Sequence, residues 1–567
     1  MEAEEGVAQI KPEYIITNHE RSLCYTCISE NDKRKLDEEE VEEQEVPHKK
    51  KKLTGQNKAR NVFRPSKDNF CHAVAASVDE SQEKCENDNC KFSHDRKSYF
   101  ENKPPDIGDT CYLYSVQGLC SRGVTCRFGK EHLTENGVNI VNKELHEKWL
   151  QNSNKTATST TSFTKETQNL LRKKKYDFSR SEEAIKEINK LKGKETSGPV
   201  DDLHYVKLRP QEMKKIDWRD KLYLSPLTTV GNLPFRRLCV DFGADVTCGE
   251  MALATPLLQG SLSEWALVKR HPSEKIFGAQ LCGSNVNMLT KAAQVVEDMA
   301  DVDFIDINLG CPIEFIYRQG GGSGLLLRGH VLKSAVRSMS YMLNVPLTVK
   351  TRSGCVIGKN IAHNFMPMFR DAGVSLITVH GRTREQRYTK NADWDYIQEC
   401  AAAAKPTSVF GNGDILSYED YMAAREKAPD VAGVMIGRGA LIKPWIFQEI
   451  KERRILDPSS SERFGYLKTY VNYGLEHWGS DTKGVETTRR FLLEWLSFCH
   501  RYIPTGLLVN PPQKVNQRPP FYAGRDDLET LFASSNSGDW IKISEMLLGP
   551  VPEGFTFLPK HKANAWK

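Results

Sequence analysis

The chain lacks several features that would settle its class outright. No run of eighteen apolar residues occurs, which excludes a membrane-spanning helix on length. The N-terminus, Met-Glu-Ala-Glu-Glu-Gly, is acidic and has no apolar signal core. No Gly-x-Gly-x-x-Gly follows a first strand and no P-loop is present, which disfavours a dinucleotide fold and an NTPase. Charge of one sign is scarce: 79 Lys+Arg against 74 Asp+Glu leave a net charge of +5 over 567 residues. Any nucleic-acid binding must therefore rest on local patches. A soluble, intracellular protein without a membrane partner is expected. Its 15 cysteines then read as metal ligands and free thiols rather than disulfides. The length calls for about two to four domains.

Composition divides the chain. Residues 1–65 predict a disordered charged tail, with the acidic run Asp37–Glu45 followed by the basic run 48–53. That basic run is either a nuclear import signal or a solvated charge run, so the expected location is cytoplasmic, nuclear or both. Cys24 and Cys27 have metal spacing but no partner pair nearby. Residues 66–135 hold a cysteine/histidine cluster. Residues 136–215 are Lys/Ser/Thr-rich and read as a linker with one helical stretch at 182–191.

Between residues 216 and 450, eight apolar β-type runs recur at 222–227, 245–251, 275–281, 304–309, 347–350, 376–380, 407–410 and 434–436. Helical patterns such as 289–299, 331–342 and 418–427 lie between them. Strands alternating with helices indicate an α/β fold with a covered parallel sheet, and eight units match a (β/α)8 TIM barrel. A doubly wound open sheet is the structural alternative. Residues 451–567 turn helical at 464–478, 485–500 and 526–533, predicting a C-terminal helical domain packed on the barrel.

The N-terminal cluster spells two CCCH zinc-finger patterns. Cys71, Cys85, Cys90 and His94 form one, and Cys111, Cys120, Cys126 and His132 the other. Three thiolates and an imidazole satisfy tetrahedral zinc. Phe92, Tyr99, Tyr112, Tyr114 and Phe128 stand among Lys91, Arg96, Arg122 and Arg127, a mixture suited to stacking unpaired bases and meeting phosphates. A structural zinc knuckle, or scattered free thiols, is the plainer reading.

In a (β/α)8 enzyme the chemistry sits at the C-terminal strand ends. Strand four runs into Asp306-Ile-Asn-Leu-Gly-Cys-Pro312, where the proline stops the ladder and leaves Cys311 at the exit. A thiol with a pKa near ~8.5 is mostly protonated at neutral pH and can donate a proton as well as attack. A buried, inert cysteine is the alternative. Other exits carry Ser225–Thr229, Gln280, Asn308, Lys350 with Arg352, and His380 with Arg382. Strands seven and eight end in Gly411-Asn-Gly-Asp414 and Gly437-Arg-Gly439. Either turn alone reads as a tight turn. Together with a lysine on strand five they point to a phosphorylated cofactor. FMN fits, with one phosphate, one broad ring and an anionic reduced state that a lysine stabilises.

These motifs together resemble the tRNA-dihydrouridine synthase family, and within it the eukaryotic branch with paired CCCH fingers that acts on uridine 47 of tRNA. The matching stretches are 225–237, 308–313, Gly320-Gly-Gly322, 349–352, 379–383, 411–414 and 437–440. The resemblance implies FMN contacts from Pro226, Leu227, Thr228, Gln280, Lys350, His380, Asn412, Gly413, Asp414, Gly437 and Arg438. It implies NADPH or NADH as reductant, hydride transfer from flavin to uracil C6, and protonation of C5 by Cys311 from the opposite face. Lys350 would stabilise the reduced flavin. Asn308, Arg352, Arg382, Arg489 and Arg490 are candidate substrate contacts, although Arg489 and Arg490 equally suit a solvated helix edge. Ser323 stands where this branch commonly has cysteine and Gly437 where alanine is frequent, both expected to lie outside the chemistry. The expected partner is tRNA, with mRNA as an open second target and a monomer as the expected state. Two rival readings remain: a flavin dehydrogenase of free pyrimidines, and a non-catalytic zinc-finger RNA-binding protein.

Overall fold

The computed structural model describes residues 6–16, 70–78, 85–153, 162–191 and 215–560. Cys24, Cys27 and the basic run 48–53 lie outside them. Eight strands form the centre: Leu222–Leu224, Val246–Cys248, Ile276–Cys282, Phe304–Leu309, Leu347–Arg352, Leu376–His380, Ser408–Asn412 and Gly433–Ile436. Each pairs in parallel with the next, and the first also pairs with the eighth, Tyr223 facing Val246 on one side and Met435 on the other. The ring is closed, so the open-sheet alternative is excluded. A two-residue strand, Ala252–Leu253, adds beside the C-terminal end of the third. The first strand stops earlier than expected because Pro226 has no N–H to continue the ladder after Ser225 bonds to Ile436 O at 2.9 Å.

The strands are buried almost throughout, as a parallel sheet covered on its outer face and filled inside requires. The N-terminal end of the barrel is filled by Trp218, Tyr223, Phe304 and Phe410. Their rings meet edge-on, with Trp218–Phe304 centroids 5.6 Å apart and Tyr223–Phe410 6.2 Å apart. Edge-to-face packing is the favoured aromatic geometry. With that end sealed, polar side chains in the barrel can reach solvent only at the opposite end.

Local signals set the helices. Asn232, Asn285, Asp393 and Ser417 accept from the first-turn backbone N–H groups of the helices they precede. Ser459 and Glu462 form a capping box for Ser460–Trp478, and Asp481 caps Thr482–Cys499. Asp527–Ala533 follows, and a further helix, Ser537–Leu548, completes the C-terminal domain. That last helix was not expected from the sequence. Trp495 joins this domain to the barrel, meeting Phe235 edge-on, lying tilted against Tyr470 and donating from Nε1 to Leu441 O at 3.1 Å. Among the described residues no helix is long and apolar enough to cross a membrane.

Two composition-based expectations change. The region read as a linker contains Lys143–Ser153, Lys165–Arg172 and Ser179–Leu191. Its segment 162–191 packs on the barrel helices, with Phe163 stacked 3.9 Å from Trp265, Arg180 paired with Glu297 and Asp298, and Ser181 bonded to Gln294. Polar residues dominate because this layer is one helix thick and its outer face is wet. Within the expected disordered tail, residues 6–16 lie along the loop 503–522. Ala8 and Ile10 are buried with Ile503, Leu507 and Tyr522, and Lys11 N donates to Leu507 O at 2.9 Å. A few apolar residues sufficed because the receiving groove was already built.

A buried ion pair locks the first helix after the barrel start. Arg236 Nε donates to Glu274 Oε1 at 2.7 Å, and Glu274 also accepts from Thr247 Oγ1 and His271 N. Both side chains are essentially sealed. Replacing Glu274 by Ala leaves a buried guanidinium without its counter-charge and is expected to cost about 3–5 kcal/mol. Urea unfolding checks this, and an unchanged midpoint would contradict it.

Candidate active site and paired metal clusters

At the C-terminal end of the barrel lies a cavity of about 1840 Å³. Its wall includes Pro226, Leu227, Thr228, Gln280, Asn308, Cys311, Lys350, Arg352, His380, Asn412, Gly413, Asp414, Gly437 and Arg438. The structure therefore brings together, from seven strand ends, nearly all the residues singled out in the sequence. Of the candidate substrate contacts, Arg382 sits behind the wall, and Arg489 and Arg490 lie away from the cavity.

Cys311 is 7 % exposed and packs with Cys282 and Ile316. Its backbone is held on two sides. Asn308 Oδ1 accepts from Cys311 N at 2.8 Å, while Ser323 Oγ donates to Cys311 O at 2.8 Å. Ser323, expected to stand apart from the chemistry, is thus a strut of the cysteine loop. Gly322 has φ +53°, and a Cβ there would lie 2.8 Å from Cys311 Cβ, so this turn accepts only glycine. Burial pushes the Cys311 thiol up, against the Ile313 N–H and the Arg352 charge, and the thiol keeps its proton at neutral pH.

Cations crowd the opposite wall. Burial, then the charge of Arg352, lowers Lys350 to about 8, with Asp306 opposing. Burial and four neighbouring cations push His380 well below the ordinary imidazole range, so it is neutral at pH 7. Arg352 donates to Gly310 O at 2.8 Å and Thr383 O at 2.9 Å, tying down the carbonyl just before Cys311.

Asp414 stands between Arg382 and Arg438, accepting from their Nη2 groups at 2.7 and 2.6 Å. Arg382 is fully sealed and also binds Lys390 O, so it does not reach a substrate; it is a strut beneath Asp414. Arg438 lies 4.1 Å over the Tyr388 ring. The two glycine turns pack directly on each other: a Cβ on Gly439 would meet Ile415 O at 2.1 Å.

Three contributors escaped the sequence reading. Asp306, 2 % exposed, accepts from Gln280 Nε2 at 2.7 Å and Thr348 Oγ1 at 2.6 Å. Its alternation with Asn308 on one strand was the available signal. Glu250 accepts from Thr229 N at 2.6 Å, and Lys560, far along the C-terminal tail, donates to Thr229 Oγ1 at 3.0 Å. No local pattern announces either contact.

Both cysteine/histidine quartets assemble, the ligand atoms of each lying within 4.8 Å of one another. In the second, Cys111 and Cys126 Sγ atoms are 3.8 Å apart, near the edge of a tetrahedron with ~2.3 Å Zn–S arms. His132 Nδ1 meets Asn139 Oδ1 at 3.1 Å, leaving the buried Nε2 without a hydrogen-bond partner. An oriented imidazole with an orphaned nitrogen among thiols fits a metal ion.

The surroundings of this quartet differ from the expected base-stacking surface. Arg127 N donates to Ser480 O, Arg122 pairs with Asp481, Phe128 is buried, and Cys120 Sγ lies 3.6 Å from Ser480 Oγ. The second finger is docked on the corner 479–482 of the helical domain. In the first, Arg96 is buried against Val74 O and Tyr99 packs on Phe70, whereas Phe92 is 42 % exposed beside exposed Lys91. Arg489 is also withdrawn: it is 1 % exposed and donates to Ser544 Oγ and Leu548 O, holding the last helix. Its neighbour Arg490 is exposed, 5.8 Å over Phe491.

A family model described as "Dihydrouridine synthase (Dus)" matches residues 223–498, from the first strand to the end of the helix Thr482–Cys499. A Xenopus tropicalis protein described as "tRNA-dihydrouridine(47) synthase [NAD(P)(+)]-like" is 50 % identical, covering 99 % of this chain and 96 % of that protein. A Homo sapiens protein of the same description is 49 % identical, covering 94 % and 87 %. One from Oryza sativa subsp. japonica is 42 % identical, covering 84 % and 83 %. The chain belongs to the dihydrouridine synthase family.

Proposed function

We propose that this protein reduces the C5=C6 bond of uridine 47 in tRNA, using FMN and NADPH or NADH, with Cys311 as general acid. The carrying observation is a buried thiol, pushed up by that burial, on the rim of a cavity whose other wall presents Lys350. The cavity exceeds the ~300–1,000 Å³ of a drug-sized ligand pocket, leaving room for a flavin with a base beside it. Pro226 to Thr228, Gln280, Lys350 and His380 would hold the ring, and Asn412 to Asp414, Gly437 and Arg438 the phosphate side.

FMN held there and reduced by a nicotinamide cofactor would supply the hydride for C6. Cys311 gives its proton to C5, which completes addition of two hydrogens across the bond. Desolvation keeps that proton on sulfur until a carbanionic carbon takes it. Lys350, on the cavity wall, would place positive charge against a flavin ring held there. Arg352 acts on the cysteine loop through Gly310 O. Extruding the uridine costs a few kcal/mol, offset by contacts away from the reacting base. Arg490 and the first finger's Phe92 and Lys91 are the exposed groups suited to that grip, and zinc in both quartets would keep the fingers in shape. We place the protein in the cytoplasm or nucleus, where tRNA is found.

Incubation of unmodified tRNA with protein and NADPH, followed by mapping of dihydrouridine, tests the reading. Product at position 47 is expected. Reduction of free uracil or orotate without RNA would favour the free-pyrimidine alternative, and colourless protein the non-catalytic one. Cys311→Ala is expected to stay yellow and lose roughly 10²–10⁴-fold in turnover, the usual worth of a general acid; undiminished turnover would contradict the role.

Lys350 gives a pH prediction. Its lowered value of about 8 means that the flavin-free native protein loses this proton before the unfolded chain, whose lysines titrate near ~10.4. Between those values the unfolded state holds more protons, so this group's contribution to stability rises with pH. FMN affinity should run the other way, falling as pH rises through 8, with a flatter profile in Lys350→Met. Fluorescence titration at several pH values measures both.

Cys120→Ser removes a ligand from the finger docked on the helical domain, whose Val124 packs into the core of the first finger and so supports its exposed Phe92 and Lys91. It is expected to leave NADPH reduction of flavin intact while weakening tRNA binding by roughly tenfold or more, ~1.4 kcal/mol per factor of ten. Filter binding at fixed salt decides, since such affinities fall steeply with salt.

A further inference from the structure

Beneath the cavity floor, four side chains form a one-directional chain of hydrogen bonds. Asp306 Oδ1 accepts from Thr348 Oγ1 at 2.6 Å and Oδ2 accepts from Gln280 Nε2 at 2.7 Å. Gln280 Oε1 accepts from Asn308 Nδ2 at 2.8 Å. Asn308 Oδ1 accepts from the backbone N–H groups of Gly310 at 3.0 Å and Cys311 at 2.8 Å. Each amide thus has its nitrogen toward Asp306 and its oxygen toward the cysteine loop. Turning either one over would set N–H against N–H, or oxygen against the carboxylate.

We infer that Asp306 is a positioning residue: as an acceptor-only anchor it orients the Gln280 and Asn308 amides and through them holds the loop that carries Cys311. The inference rests on the proton-donor reading of Cys311. Burial pushes the Asp306 carboxyl up to about 6, while Thr348, Gln280 and Lys350 pull it down, so it is ionised and without a proton to donate at neutral pH. A buried carboxylate is costly to hold. The strand registers explain its place: Gln280 faces Asp306 across one strand pair and Thr348 faces it across the next. The relay crosses from the strand Phe304–Leu309 to Gln280 on Ile276–Cys282 and back, and ends on the backbone of the reactive residue. Arg352 on Gly310 O and Ser323 on Cys311 O brace the same loop from other directions. Asp306 is distinct from both because its relay passes through Gln280, a wall residue of the cavity.

Asp306→Asn keeps the volume and removes the dictated polarity, since an amide at 306 can present either atom to Gln280. Two readouts on the FMN-loaded protein decide. The first is the iodoacetamide alkylation rate of Cys311, followed by site-resolved mass spectrometry, which needs no RNA. The second is kcat and KM for unmodified tRNA. The variant is expected to alkylate several-fold faster and to lose roughly 10–100-fold in kcat, the usual effect of removing an orienting partner behind a reactive group, at unchanged KM. Thr348→Val, which removes only one of the two donors to Asp306, should move both readouts in the same direction as Asp306→Asn and by less. An unchanged alkylation rate in Asp306→Asn overturns the assignment. So does unchanged kcat, or loss of flavin, which would make Asp306 a cofactor-holding group. A wild type that reduces no tRNA would instead remove the proposed function, leaving the alkylation comparison to decide the relay.

Discussion

Trp218, Tyr223, Phe304 and Phe410 close one end of the barrel, and the placement of every polar group inside it depends on that plug. A ring of eight parallel strands offers an interior too narrow for water once large rings fill it. Asp306, Gln280, Asn308, Lys350 and His380 all point into that interior, and only the open end gives them a polar environment. Their crowding has measurable consequences: a lysine lowered to about 8, a carboxyl raised to about 6 and a thiol that holds its proton. Burial leads in all three: the charge of Arg352 adds to it at Lys350, hydrogen bonds from Thr348 and Gln280 oppose it at Asp306, and the Ile313 N–H and the Arg352 charge oppose it at Cys311.

The barrel was legible because its signals are local. Each strand is a short apolar run, buried on both faces, and helices such as Val286–Met299 and Gly329–Met342 repeat their apolar residues on one side. The exits were legible because proline and glycine mark where strands stop, so Cys311, Gln280, Lys350 and the two glycine turns were placed correctly at one mouth. The misses were contacts between distant parts of the chain. The N-terminal residues 6–16 settle on the loop 503–522, Lys560 returns to Thr229, and the segment 162–191 lies against the barrel helices. The first two have no periodicity of their own, because each borrows a surface built elsewhere; in the third, the inward positions Ser181, Ala184 and Ile188 of Ser179–Leu191 do recur at helical spacing.

Charge without context misled in the same way. Arg382, Arg489, Arg122 and Arg127 looked like free cations suited to RNA. In the fold their guanidinium groups meet carboxylates or main-chain carbonyls that are neighbours only in space. Arg490, one residue from Arg489, is exposed because a helix turns about 100° per residue. The fingers divide similarly, the second being part of the architecture of the helical domain and the first keeping an exposed aromatic. RNA recognition would then be shared between the first finger, Arg490 and the rim of the cavity.

The central claim is that one base receives its two hydrogens from two different sources, the C5 proton by way of Cys311. Turnover in D2O with unlabelled NADPH, followed by NMR of the isolated dihydrouridine, tests this most directly. The account predicts one solvent-derived deuterium at C5 and loss of the C5-labelled product in Cys311→Ala. Protium retained at C5 in the wild type, or C5 labelling at the wild-type rate without the thiol, would contradict it.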